Sequence, residues 1–353
     1  MIRVLIVDDS AAVRQILESM LRPDPEIKVI GTAPDPYVAR TMILDQKPDV
    51  VTLDIQMPKM DGVTFLQKLM GYHPLPVIVI SSLTPEGSPM AAAALRHGAV
   101  DVLCKPGVNS KTGDFRGELI AKIKAAAEVN MAASSMGARL ASKTACATEL
   151  SSTTNAVFAI GASMGGTTAI EAILRFMPPN APGTIIAMHV PEHVTKIFAN
   201  RLNDLSRIEV REAVDGDSVV PGLALIAPGD RHLMLRGSDA RYTVQISDAP
   251  RVNHYRPSID VMFRSVAQSA GNNAIGAILT GMGADGAKGL LAMKEAGAAT
   301  IAQDEESCVI FGMPKQAIKL DAARYVLPLS QIGRKVLELV KDGNRTSLPG
   351  IKG

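Results

Sequence analysis

Two groups of residues in this 353-residue chain have the types and settings that chemistry needs. The first centres on Ser163, in Gly161-Ala162-Ser163-Met164-Gly165-Gly166. That hexapeptide follows the apolar run 157–160 and opens 167–174, which carries helical spacing. A strand turning sharply into a helix lifts a serine to the carboxyl edge of a sheet, and flanking glycines permit the tight backbone. The helix amino terminus beyond it favours developing negative charge. Glycine-rich strand-to-helix turns also cradle phosphates, so the hexapeptide alone leaves nucleophile and phosphate site both open. His189 ends the apolar run 184–188, and Asp285 follows the run 274–279 within Thr280-Gly281-Met282-Gly283-Ala284-Asp285-Gly286. A serine hydroxyl needs a base to take its proton, and histidine, ordinarily near neutral in pKa, suits that role. A carboxylate behind the histidine fixes its tautomer and stabilises the imidazolium. The backbone N–H of Met282 is a candidate oxyanion donor, as is the turn 164–166; one such donor is typically worth about 3–4 kcal/mol. His193 (on a helix over 192–202), His232 (after the turn 228–230) and His254 (in the loop 251–256) compete for the base. Asp215, Asp217, Asp230, Asp260 and Asp304 compete for the acid. Only strand-end settings single out His189 and Asp285. The chain order Ser, His, Asp differs from the Ser, acid, His order of α/β-hydrolases, so a different fold carries this constellation.

The second group is acidic. Asp8 and Asp9 follow the apolar run 4–7, Asp54 follows 50–53, Ser81 follows 77–80, and Lys105-Pro106 follows 100–103. Three carboxylates at one sheet edge repel one another and call for a hard cation; oxygen donors of this kind suit Mg²⁺. A carboxylate there can accept a phosphoryl group. Lys105 supplies a point charge to the acyl phosphate, and the Ser81 hydroxyl, or that of Ser82, reports its presence.

Both groups need sheets to hold them. Residues 1–125 alternate short apolar runs with helical patterns such as 11–21 and 89–97, which predicts right-handed βαβ units and a parallel, doubly wound sheet with its chemistry at the strands' carboxyl ends. Residues 155–345 alternate in the same way and predict a second such unit. Within it, 222–227 and 241–246 read as short antiparallel strands beside the main sheet. Between the units, 126–154 is rich in Ala, Ser and Thr and reads as a linker: its Ala-rich start is open to continuing the preceding helix, and its Ser/Thr-rich end reads as flexible; residues 346–353 form a tail. The fold class is therefore α/β, with a flavodoxin-like unit followed by a Rossmann-like unit that carries a small antiparallel hairpin.

Composition narrows the function. The chain is 47% hydrophobic and 20% charged with a net charge of +2, which is globular and gives no electrostatic case for nucleic acid. Cys104, Cys146 and Cys308 are odd in number and lack metal-ligand spacing, which fits a reducing cytoplasm. The amino terminus lacks a signal-peptide pattern, and no apolar run approaches the ~20 residues of a membrane span, so direct membrane insertion is not expected.

Residues 4–10 and 53–62, with Ser81 and Cys104-Lys105-Pro106, resemble the receiver domain of two-component response regulators. The resemblance implies that Asp54 is the phosphoacceptor, that Asp8, Asp9 and Asp54 hold Mg²⁺, and that Ser81 and Lys105 form the switch. The second unit resembles the catalytic domain of the chemotaxis protein-glutamate methylesterases, in Ile160-Gly161-Ala162-Ser163-Met164-Gly165-Gly166, Met188-His189-Val190-Pro191 and the glycine-rich segment ending in Asp285-Gly286. Tyr255-Arg256-Pro257-Ser258 and Phe311-Gly312-Met313-Pro314 are further landmarks. The resemblance implies a Ser163, His189 and Asp285 triad with the Met282 N–H as oxyanion donor and no catalytic cofactor. It also implies phosphorylation-controlled demethylation, and glutamine deamidation, on the cytoplasmic helices of chemoreceptors, with a chemotaxis histidine kinase as phosphodonor. The unphosphorylated receiver is expected to cover the active site. A threonine often follows the family's serine; here it is Met164, beside the nucleophile, where it would tune substrate preference or rate. The alternative reading is a response regulator whose output domain only binds a receptor or nucleotide.

Overall fold

The computed structural model describes residues 1–81, 88–105, 112–143, 146–151, 154–238 and 241–346. Ser82, Pro106 and residues 347–353 lie outside the described residues. The chain divides into two compact units, Met1–Met131 and Ala132–Gly353.

In the first unit, β1 (Ile2–Val7), β2 (Ile27–Ala33), β3 (Val50–Asp54), β4 (Val77–Ser81) and β5 (Asp101–Cys104) alternate with α1 (Ala11–Leu21), α2 (Pro36–Gln46), α3 (Gly62–Tyr72), α4 (Ser88–Arg96) and α5 (Thr112–Ala127). The strands pair in parallel in the order β2-β1-β3-β4-β5. β3 and β4 are buried along their whole length, as their near-continuous apolar sequences require in a sheet covered on both faces. Side-chain caps start three helices: Ser10 on α1, Asp35 on α2 and Asp61 on α3 each accept a first-turn N–H. Such a cap is typically worth about 1 kcal/mol.

The second unit opens within α6 (Met131–Lys143), in the Ala-rich start of the stretch read as the linker. Alanine is the strongest helix former, and Leu140 of α6 packs against the unit's core. Residues 146–150 are also tied down. The Ala147 N–H donates to the Phe176 carbonyl, and Asn180 pairs with both the N–H and the carbonyl of Leu150, itself buried. Hydrogen bonds and the packing of Ala147 and Leu150 on the core together hold these residues.

There follow β6 (Val157–Ala162), α7 (Gly166–Phe176), β7 (Gly183–Met188), α8 (Glu192–Leu205), β8 (Glu209–Glu212), β9 (Leu223–Ile226), β10 (His232–Ser238), β11 (Arg241–Ser247), α9 (Ile259–Ser269), β12 (Ala274–Ile278), α10 (Ala287–Glu295), β13 (Ala299–Gln303), α11 (Met313–Lys319), β14 (Tyr325–Leu327) and α12 (Leu329–Thr346). Seven strands form one parallel sheet in the order β14-β13-β12-β6-β7-β9-β8. One core layer packs α7 and α12 on one face, and the other packs α9, α10 and the β10–β11 hairpin on the opposite face. Burying Ile170, Ile173 and Leu174 of α7 contributes about 1.5–3 kcal/mol for each side chain.

One strand departs from expectation. β9 is not antiparallel beside the main sheet; it pairs in parallel with β7 and β8 inside it. All four of its residues are buried, which marks a strand covered on both faces rather than an edge hairpin. Among the described residues, β10 and β11 form the antiparallel hairpin.

Candidate active site and acidic cluster

The strand order of the second unit reverses at β6. The chain runs outward from β6 to β7, then returns to place β12 on β6's other side. Loops leaving neighbouring strands diverge at such a switch point and open a crevice at the carboxyl edge. Ser163 follows β6, His189 follows β7 and Asp285 lies in the loop after β12, so all three occupy this edge.

Ser163 Oγ lies 3.2 Å from His189 Nδ1, and His189 Nε2 lies 2.9 Å from Asp285 Oδ2. An ionised carboxylate only accepts, so Nε2 carries the ring proton and Nδ1 is free to accept from the serine hydroxyl. Backbone bonds fix each loop: the Ser163 N–H donates to the Thr280 carbonyl (3.0 Å), and the His189 N–H to the Ala162 carbonyl (3.3 Å). Thr280 Oγ1 donates to the Met164 carbonyl (3.0 Å), stitching the serine turn to the β12 loop.

The glycines matter for close approach. A Cβ at Gly161 would sit 2.3 Å from Ile259 Cγ2, and one at Gly281 would sit 2.7 Å from the Ser163 Cβ. One at Gly312 would meet the Gly281 carbonyl at 2.6 Å and the Met282 Cα at 3.2 Å. The Phe311-Gly312 segment thus braces the backbone at Met282 and holds it against the serine loop. The Met282 N–H donates to no other group among the described residues, and its loop borders Ser163 through Gly281. Met164, placed beside the nucleophile by sequence, is buried, as is Ser163 itself.

Asp285 is 1% exposed and accepts several hydrogen bonds. Besides His189, its donors are Ser258 Oγ (2.8 Å), Asn253 Nδ2 (2.8 Å) and the N–H groups of Ile259 (2.7 Å) and Asp260 (3.3 Å). The last two are the first N–H groups of α9, so the carboxylate caps a positive helix end. Burial alone would push its pKa up, but the bond and charge of His189, with Asn253 and the Ile259 N–H, outweigh burial and hold it below the ordinary carboxylate range. The Tyr255 ring stacks on His189 with centroids 3.6 Å apart and planes 2° from parallel.

The competing residues have other work. His232 is buried, with Nδ1 accepting from the Ser258 N–H and Nε2 facing the Pro250 carbonyl. His193 lies on α8, and His254 is exposed in its loop. Asp217 pairs with Arg211, Asp230 with Arg251 and Arg256, and Asp260 accepts from Gly289 and Asn253. Asp215 accepts from the Ile246 N–H, and Asp304 from Ser307.

In the first unit Asp8, Asp9 and Asp54 offer carboxylate oxygens that all lie within 4.8 Å of one another. Asp9 is exposed; Asp8 and Asp54 are buried. Lys105 Nζ reaches Asp8 Oδ2 at 2.8 Å and Asp54 Oδ2 at 2.9 Å. Burial pushes the Asp54 carboxyl above its ordinary range; the Asp8 charge adds to this, and Lys105 offsets only part of it. Burial works against the Lys105 charge, but its bonds to Asp8 and Asp54 prevail and raise its pKa. Ser81 ends β4, buried, and its carbonyl accepts the Lys105 N–H at 2.9 Å. Lys59, in the loop before α3, pairs with Asp35 at 2.7 Å rather than joining the cluster. An oxygen-only donor set converging around a buried carboxylate fits Mg²⁺.

The sequence model of the CheB methylesterase family matches residues 158–336, and that of the response regulator receiver domain matches residues 4–112. The chain belongs to the CheB methylesterase family. It is 56% identical over 340 residues to protein-glutamate methylesterase/protein-glutamine glutaminase 4 of Anaeromyxobacter dehalogenans, covering 96% of this chain and 95% of that one. It is 51% identical over 345 residues to the protein named protein-glutamate methylesterase/protein-glutamine glutaminase 2 in Syntrophus aciditrophicus, covering 96% and 99%. Among solved structures, the CheB methylesterase catalytic domain of Thermotoga maritima matches with a TM-score of 0.51 at 39% identity, covering 52% of this chain and 98% of that one.

Sequence reasoning in this CheB-family chain missed Asn253, Tyr255 and Ser258 as partners of the histidine and acid. Ser258 carried a signal as the cap ahead of an apolar helix. Tyr255 stood in the landmark Tyr255-Arg256-Pro257-Ser258 with no role attached, and Asn253 carried no signal, because only the fold brings their loop to the end of β12.

Proposed function

We propose that this chain is a protein-glutamate methylesterase and protein-glutamine glutaminase whose hydrolytic step runs through Ser163, His189 and Asp285. The observation that carries this reading is the continuous link from the Ser163 hydroxyl through His189 to a buried carboxylate at one sheet edge. His189 Nδ1 takes the Ser163 proton as Oγ attacks the γ-carbonyl of a methylated glutamate. The Met282 N–H receives the resulting oxyanion, and Asp285 stabilises the imidazolium. Nδ1–H then protonates the methoxide as it leaves, giving methanol and an acyl-serine. Water, deprotonated at the same nitrogen, releases the free carboxylate and restores Ser163. With glutamine the leaving group is ammonia.

In this reading residues 1–125 are a receiver, 126–154 the connection, 155–345 the catalytic domain and 346–353 a tail. Asp8, Asp9 and Asp54 hold Mg²⁺, which when bound neutralises phosphoryl charge. Asp54 accepts the phosphoryl group from a chemotaxis histidine kinase, while Lys105 and Ser81 sense it. Phosphorylation shifts the receiver from a state that covers the active site to one that exposes it. The substrates are the cytoplasmic helices of chemoreceptors, and the protein acts in the cytoplasm; no helix among the described residues is long and apolar enough to cross a membrane. A serine-directed fluorophosphonate tests the nucleophile. Labelling that is lost in Ser163→Ala and strengthened by phosphorylation of Asp54 is the expected result; undiminished labelling of Ser163→Ala would overturn it.

A further inference from the structure

We propose that the turn 252–255 is a positioning device for His189, in which Tyr255 fixes the tilt of the imidazole and stabilises its protonated form. This rests on the catalytic reading above and adds to it a residue that acts through the histidine. The two hydrogen bonds of His189, to Ser163 and Asp285, lie in the ring plane at its two nitrogens. These bonds hold the ring at its edge, and small rocking about the Cβ–Cγ bond costs them little. The Tyr255 ring restrains that rocking, lying 3.6 Å away and 2° from parallel. When Ser163 gives up its proton, the imidazole becomes a cation over an aromatic face, an arrangement that favours the charged form.

The backbone around Tyr255 is shaped to present its ring to the histidine. The Val252 N–H donates to the Tyr255 carbonyl (3.1 Å), and the Tyr255 N–H to the Val252 carbonyl (2.9 Å), closing a two-residue turn. Its central residues, Asn253 (φ 52°) and His254 (φ 72°), are both left-handed, as such turns demand, and neither is glycine. Both are exposed, so the turn is not held in this conformation by burial of its tip. What it gains is two contacts with the active site. Asn253 Nδ2 donates to Asp285 (2.8 Å) and to Asp260 (2.9 Å), anchoring the turn to the carboxylate, and the next-but-one residue lays its ring on the histidine. Strain kept at an active site and stabilised by contacts with its reacting groups is the mark of preorganisation.

The titratable or charged groups around His189 are few. Asp285 meets its Nε2, and Tyr255 covers one face. Asp260 lies one layer back through Asn253; Arg256 is paired with Asp230 and senses Glu192 at the head of α8. A move in the histidine's titration on changing Tyr255 alone therefore reports the stack.

The test uses the full chain and steady-state hydrolysis of a small ester across pH, with ¹⁵N-histidine NMR following the His189 titration. Tyr255→Leu fills the space without an aromatic face, and Tyr255→Phe keeps the face. The leucine variant is expected to lose about tenfold in kcat with KM within about twofold, and its acid limb and His189 titration should both move down by about one pH unit. The phenylalanine variant should recover most of the rate and return both titrations. If leucine and phenylalanine variants share one pH profile, or if rate is lost with the His189 titration unmoved, the proposal is overturned and Tyr255 is only packing. Should Tyr255→Leu fold poorly, Tyr255→Met carries the same comparison. Ser163→Ala, run alongside, separates the two claims: activity surviving there defeats the triad, whereas a dead Ser163→Ala with a pH-silent Tyr255→Leu defeats only the stack.

Discussion

At the scale of single residues, the proposed role of Ser163 rests on what surrounds the residues behind it. Asp285 is as deeply buried as any core residue, yet burial does not neutralise it, because the start of α9 and three side chains donate to it. Its folded pKa lies below the ordinary 3.8, so the stability it contributes is fully present above that value and is lost as pH falls through the depressed one. Comparing denaturant unfolding of the parent and Asp285→Asn across pH should show a gap that holds from neutrality down to 3.8 and narrows only below it. A gap already closed at about pH 5 would contradict this. The same substitution should lower kcat by about 10⁴-fold, since an amide that donates to Nε2 favours the wrong tautomer. The sequence made Ser163, His189 and Asp285 legible because strand-end settings next to glycine mark reactive edges. It left Asn253, and the contact that Tyr255 makes, unread, since a polar loop distant in sequence gives no sign of which strand end it will cover.

At the scale of elements, the site depends on loops that approach more closely than side chains allow. Gly312 is the clearest case, because its Cα faces the backbone of residues 281–283 and nothing there is a flexible side-chain end. Gly312→Ala should cost about 1–3 kcal/mol in unfolding free energy and push the Met282 N–H out of line, lowering kcat more than it raises KM. Urea unfolding and steady-state kinetics on one preparation check both; a stability loss with unchanged kcat would separate Gly312 from the oxyanion donor. The alternation of apolar runs made both doubly wound sheets readable, down to the acidic edge of the first. β9 was misread because a four-residue apolar run, Leu223-Ala224-Leu225-Ile226, looks alike in a hairpin and in a parallel strand; only its neighbours β7 and β8 decide. The Ala-rich stretch was open to continuing the preceding helix; it forms a separate helix, α6, whose Leu140 reaches the core of the second unit.

At the scale of the whole molecule, where the output unit begins governs any separation of control from catalysis. Residues 146–150 belong with the second unit by their bonds to Phe176 and Asn180 and by the burial of Leu150. A fragment starting at Ala132 should therefore melt close to the full chain's second transition, and one starting at Ser151 should melt lower by about 2–4 °C per kcal/mol lost. Equal melting of the two fragments would show that 132–150 contribute nothing. If the receiver restrains the output unit, the Ala132 fragment should also exceed the unphosphorylated full chain in basal hydrolysis. The central claim is tested most directly by methanol release from methylated chemoreceptor membranes, comparing the full chain with Ser163→Ala. The account predicts release by the parent, rising when Asp54 is phosphorylated with Mg²⁺ present, and a fall of about 10⁴-fold or more in the variant. Release by Ser163→Ala at a rate near the parent's would contradict it.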